Sequence, residues 1–179
     1  MEEKDQSMEK DVFNFTNYYI RKLSANSGDM AIWRHAFAKG VCEDIKAWSL
    51  LQKDIPSELT RYSKPEIPSY AENAVYMALS AYAACGAHAE GISFGHSAKA
   101  LGDNARGRFS RLEMSNSIDK MWRNLKDIMR LISSQKGVGI DYGLLAKDLY
   151  DWQFDHIPTV RKWESEYYRS DLKKKSGAN

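Results

Sequence analysis

Lys99, Arg106, Arg108, Arg111, Lys120, Arg123, Lys126, Arg130 and Lys136 fall in one 38-residue stretch. Its only acids are Asp103, Glu113, Asp119 and Asp127. The stretch carries +5, whereas the whole 179-residue chain carries +2. The chemistry open to such a cluster is recognition of a polyanion. Guanidinium groups fork onto phosphate oxygens, and ammonium groups act as point charges beside them. Most charged helix faces are only solvated. Here the charges are mostly of one sign, and arginine outnumbers lysine between Arg106 and Arg130. Nothing in the segment specifies a base code, so binding would be to backbone.

Other chemistry finds little support. Gly86 to Ser93 has the glycine spacing of a phosphate-binding loop, but Ile92 stands where the lysine is required. Gly91 to Gly95 reads instead as a tight turn onto a helix. His35, His88, His96 and His156 show no paired-ligand spacing, and Cys42 and Cys85 form no CxxC pair. No serine sits in a nucleophile elbow. Asp141 reads as a helix cap, with Asp148 and Asp151 on the surface. No metal, cofactor or catalytic residue is expected. The five tryptophans lie at core spacing, while Tyr167 and Tyr168 are open to a second reading as base-stacking residues.

These residues must be positioned by helices. Val12, Phe15, Tyr19 and Leu23 predict a first helix, with residues 1–10 frayed. Ser27-Gly28-Asp29 breaks it and can cap a second, with Met30, Trp33 and Phe37 on one side. A third runs around Glu43 to Lys53 with Ile45, Trp48 and Leu51 or Leu50 inward. Pro56, Pro65 and Pro68 mark a connector, and a fourth helix starts at Ser69. Short helices follow around Ser97 and Ala105 to Met114.

The strongest helical pattern is 117–133. Ile118, Met121, Trp122, Leu125, Ile128, Met129 and Ile132 share one face, and Lys120, Arg123, Lys126 and Arg130 fall opposite. Asp127 sits among those cations and blunts them. Asp141 caps the next helix, Pro158 opens a last one, and the tail at Lys173, Lys174 and Lys175 is expected to be disordered. There is no strand pattern. The reading is all-α, in two small helical bundles: an N-terminal one over 1–87 and a C-terminal one with the basic face over 88–179.

The N-terminus carries five acids among its first eleven residues, unlike a signal peptide, and no apolar run is long enough for a membrane span. Two separated cysteines fit buried free thiols in a reducing compartment. A cytoplasmic protein is expected.

The chain resembles the CasB family, the small subunit of the type I-E CRISPR surveillance complex, Cascade. The likeness runs from about Gly28 to Tyr167. It is carried by Gly28-Asp-Met-Ala-Ile-Trp-Arg-His35, by Arg61-Tyr62, and by Gly91-Ile-Ser-Phe-Gly-His-Ser-Ala-Lys-Ala-Leu101. Arg108-Phe-Ser-Arg-Leu112, the long amphipathic helix and Gly139 to Trp152 complete it. Paired arginines of the family pattern are interrupted here: Gly107 separates Arg106 from Arg108, and His35 follows Arg34.

The resemblance implies a non-catalytic subunit that pairs with a second copy. Its partners would be the large and backbone subunits of an RNA-guided complex, and it would hold DNA and RNA backbone. It would stabilise the R-loop by binding the displaced DNA strand without sequence specificity. Arg34, Arg108, Arg111, Arg123 and Arg130 are the implied backbone binders, with Lys99, Arg106, Lys120, Lys126 and Arg161 behind them. The alternative is a helical adaptor that contacts only protein.

Overall fold

Ser69 is followed three residues later by Glu72, and this pair starts α4 (Tyr70–Cys85) with a reciprocal capping box. The Ser69 hydroxyl accepts the Glu72 N–H at 3.1 Å, and the Glu72 carboxylate accepts the Ser69 N–H at 2.7 Å. Beyond the cap the helix is rich in alanine, which lets neighbouring helices approach closely. Ala71, Ala74, Val75, Ala78, Leu79 and Tyr82 are buried at helical spacing, but so are Glu72, Tyr76, Met77, Ser80, Ala81 and Ala83. Helix α4 is therefore covered on all sides and forms the axis of the fold. Buried Glu72 remains satisfied because Gln52 Nε2 donates to its second oxygen at 2.8 Å.

The computed structural model describes residues 4–169. Among them the elements are α1 (Gln6–Ser24), α2 (Ser27–Phe37), α3 (Ile45–Asp54), α4, α5 (Phe94–Ala100), α6 (Asp103–Glu113), α7 (Ile118–Ser134), α8 (Tyr142–Phe154) and α9 (His156–Arg169). No strand occurs among the described residues, only isolated bridges at Lys64–Ile67 and His88–Ile140. The all-α expectation holds. The lysine tail lies outside the described residues.

Helices α1, α2, α7 and α8 pack around α4, while α5 lies against α9 and α6 against α7. One apolar cluster runs from Met8 to Tyr167. Gly95 of α5 marks the closest approach to α9, since a Cβ there would lie 2.8 Å from the Trp163 carbonyl oxygen. The turn into α5 places Gly91 at φ +75°, which a glycine adopts without strain. The adjoining segment is pinned to the α7–α8 connection, where Ala89 N donates to Ile140 O at 3.0 Å and Gly91 N to Asp141 at 2.8 Å. Asp141 also caps α8 as expected.

Several local expectations change. Residues 6–10 are helical rather than frayed: Met8 is 1% exposed, and Lys4 reaches Glu9 and Asp151 at 3.0 and 3.1 Å. The cap of α2 is Asn26, one residue before the expected break. Ile45 is 80% exposed because α3 turns Ala47 and Leu51 inward instead. Asp148 is buried, not superficial, and accepts Lys162 Nζ at 2.6 Å and Trp163 Nε1 at 2.9 Å. Both cysteines are free and half-buried. No described helix is long and apolar enough to cross a membrane.

Candidate nucleic-acid interface

The apolar face of α7 goes into the core, so its cations are left on the outer side. Met121, Trp122, Leu125, Ile128, Met129 and Ile132 are all buried. The neighbour along the exposed flank is the end of α2. Phe37 and Trp122 meet edge-to-face at 5.5 Å and form the floor of a seam between the two helices.

One backbone carbonyl closes that seam. Lys39 O accepts Trp122 Nε1 at 3.3 Å and Lys126 Nζ at 3.1 Å. The Lys126 ammonium lies 5.5 Å from the Trp122 ring centroid, and the Arg130 guanidinium lies 5.6 Å from that of Phe37. Burial lowers the Lys126 pKa, and the charges of Arg130 and Arg123 lower it further. Cations crowded this closely gain from an added polyanion. Arg123 is exposed and forms no direct ion pair among the described residues, although Asp119, one helical turn before it, shares its groove. Arg130 pairs with Asp127 at 3.1 Å in an exposed i, i+3 contact.

Arg34 joins the same region from α2. Its Nε donates to Ala83 O at 3.2 Å, in the last turn of α4. Arg130 is near enough to that turn for its charge to reach Cys85: burial pushes the thiol up to about 12, and the Arg130 charge partly opposes the shift. Arg34, Arg123, Lys126 and Arg130 are thus gathered along one seam. Glu43 and Asp119 line its groove beside Lys39, Arg123 and Lys126.

The remaining expected residues lie elsewhere. Arg108 and Arg111 share one flank of α6, three residues apart, while Phe109 and Leu112 face the core. Asn124 of α7 donates to Arg111 O at 2.9 Å, and Lys120 donates to Asn116 at 3.3 Å, so Lys120 and Arg111 frame the α6–α7 turn. Arg108 bonds back to Asn104 O at 3.1 Å. Arg106 points the other way, toward Tyr167 and Tyr168 of α9, close enough for its charge to act on both phenols. Arg161 lines a groove on α9. Lys99 is half-buried in the last turn of α5.

The sequence reading passed over Phe37, Trp122 and the Lys39 carbonyl as parts of the site. No local signal marks them, because α2 and α7 meet only through the tertiary fold. Their partners are 83 to 87 residues apart along the chain.

Asp44 holds the α2–α3 turn beside this seam. It accepts N–H bonds from Lys46 and Ala47 at 3.0 and 3.1 Å, and Lys39 Nζ lies 3.0 Å from its second oxygen. His35 Nδ1 is 2.8 Å from that same oxygen. Burial disfavours the charge on Asp44, but the Ala47 N–H, Lys39 and His35 outweigh it and hold the carboxyl well below its usual range. A depressed folded pKa stabilises the fold fully above the unfolded value, near about 4, and that contribution is lost as pH falls further. Asp44→Asn is therefore expected to cost roughly 1 kcal/mol at neutral pH. The gap from the parent in urea melts should narrow below about pH 4. An equal gap at both pH values would show that the charge is not what stabilises the turn.

Among the described residues no group of three His, Cys, Asp or Glu is placed to hold a metal ion.

The family model described as CRISPR-associated protein Cse2 matches residues 29–168. Among solved structures, M. ruber CasB is similar at 20% identity and a TM-score of 0.71, over 92% of this chain and 96% of that one. CasB from Thermus thermophilus gives 19% identity and 0.66, over 87% and 97%. CasB from Thermobifida fusca gives 18% and 0.64, over 90% and 95%. At these identities the structures establish a shared fold. No curated protein matches the sequence. The matched span takes in α6, α7 and all but the first two residues of α2, and it places the chain in the Cse2 (CasB) family of CRISPR-associated proteins.

Proposed function

We propose that the chain is a non-catalytic small subunit of the RNA-guided surveillance complex Cascade, and that it holds nucleic-acid backbone without reading sequence. The observation that carries this reading is the α2–α7 seam, where Arg34, Arg123, Lys126 and Arg130 converge over an aromatic floor. Among the described residues the exposed Arg130–Asp127 contact is the one direct ion pair made by these four, with Glu43 and Asp119 nearby in the groove. Pairing of a guide RNA with target DNA exchanges one duplex for another of similar stability. A few positioned cations along the displaced strand can therefore tip the balance. They need no base contacts, which suits a complex whose targets all differ.

The same proposal includes pairing with a second copy, contact with the large and backbone subunits, and a cytoplasmic location. It also keeps the division into two helical bundles, 1–87 and 88–179, whose interiors are continuous where α8 packs on α1 and α4.

The test is binding of fluorescent single-stranded DNAs of unrelated sequence across a salt series. Affinity is expected to be similar for all of them. It should fall steeply with salt, by about 0.7 in log K per log salt for each phosphate contact. A flat salt response, with complex assembly intact, would favour an adaptor that contacts only protein.

A further inference from the structure

Four aromatic rings run from the interior of the second half to its surface. Phe94 lies parallel to Phe109 at 6.2 Å, and Phe109 stacks on Tyr167 at 4.5 Å and 10°. Tyr167 is buried, and its hydroxyl donates to Gly102 O at 3.3 Å. Tyr168 then stands edge-to-face on Tyr167 at 4.7 Å and 80°. The three inner rings are core, but Tyr168 is 49% exposed. A large ring held this way by an ordered neighbour has already lost much of its freedom, so it can receive a flat partner at low entropic cost.

The surroundings are cationic, with acids among them. Arg161, Glu164 and Arg169 line one groove with Tyr168, and Arg106 of α6 is near enough for its charge to act on the phenol, as is the opposing charge of Glu113. Glu113 stands near Glu164, and burial together with that charge raises its carboxyl above the usual range. A mixed patch of this kind is a weaker phosphate trap than the α2–α7 seam. Any ligand here must gain from the ring as well as from charge. A base has the required π-face, and its own phosphates suit the three arginines.

We infer that Tyr168 is a base-stacking residue, presented by this aromatic ladder to an unpaired base of single-stranded nucleic acid whose phosphates lie along Arg106, Arg161 and Arg169. The inference rests on the reading that the chain binds nucleic acid. It adds a second contact region, and with it a preference for unpaired over paired strands, since a base inside a duplex offers no free face.

The full chain is titrated at low salt with labelled oligothymidine of about twelve nucleotides, within the usual site size. The same titration uses an abasic strand with the same number of phosphates. Tyr168→Ala is expected to bind oligothymidine roughly tenfold more weakly, and Tyr168→Phe to restore binding, because stacking needs only the ring. The abasic strand is expected to be indifferent to Tyr168→Ala. Equal weakening on both strands would overturn stacking, as would unchanged binding of oligothymidine by Tyr168→Ala. In either case weakening by Arg123→Glu would leave the broader reading standing. Failure of the parent chain to bind any strand at low salt would remove both.

Discussion

Arg123→Glu combined with Arg130→Glu is expected to weaken binding of single-stranded DNA about 25-fold at about 0.1 M salt, and to flatten the salt slope by about 1.4. The figure follows from counterion release. Each lost phosphate contact removes about 0.7 from the slope, and over the decade from 0.1 to 1 M two contacts amount to about 1.4 log units. Arg123 should contribute most of the loss, because it is exposed and, unlike Arg130, forms no direct ion pair among the described residues. Lys126 should matter less, since its ammonium is tied to the Lys39 carbonyl. Asp127→Asn acts in the opposite direction: it frees Arg130 from its only ion pair among the described residues and should tighten binding about twofold. Unchanged affinity and slope in the double variant would mean that the seam is merely solvated.

Asp148→Ala is expected to lower stability by about 3 kcal/mol and Tm by about 10 °C. Asp148 joins α8 to α9 through two donors, Lys162 Nζ and Trp163 Nε1. Lys162 can turn to water. Trp163 is 1% exposed and cannot, so its N–H is left buried without an acceptor. Asp148→Asn keeps an oxygen for that N–H and should lose only about 1 kcal/mol. Urea unfolding measures both, and equal losses would show that the Trp163 bond is not what matters. Detachment of α9 would also carry Tyr168 away from α6, so nucleic-acid measurements on Asp148→Ala belong at temperatures well below its midpoint.

Neither Asp148 nor the seam can be found from neighbouring residues. Asp148 looks like a surface acid because its partners lie a helix away, at Lys162 and Trp163. Ile45 looks like a core residue because α3 is amphipathic enough to allow it, yet the helix turns Ala47 and Leu51 inward. Short helices leave such choices to whatever packs on them. By contrast, α7 is legible throughout. Its seven apolar positions repeat with the helical period, and the buried set is the expected one, with Ile118 half-buried at the N-terminal end. Ser69, Ser117 and Asp141 cap their helices through bonds no longer than three residues, so those helix starts are legible too.

The all-α class, the starts of α4, α7 and α8 and the outward direction of the α7 cations follow from interactions within a few residues along the chain. Such interactions are written locally and survive in any context. The gathering of Arg34 with Arg130 and the aromatic floor beneath Lys126 do not. They depend on which helices meet, and that choice is made by packing a single shared interior around α4.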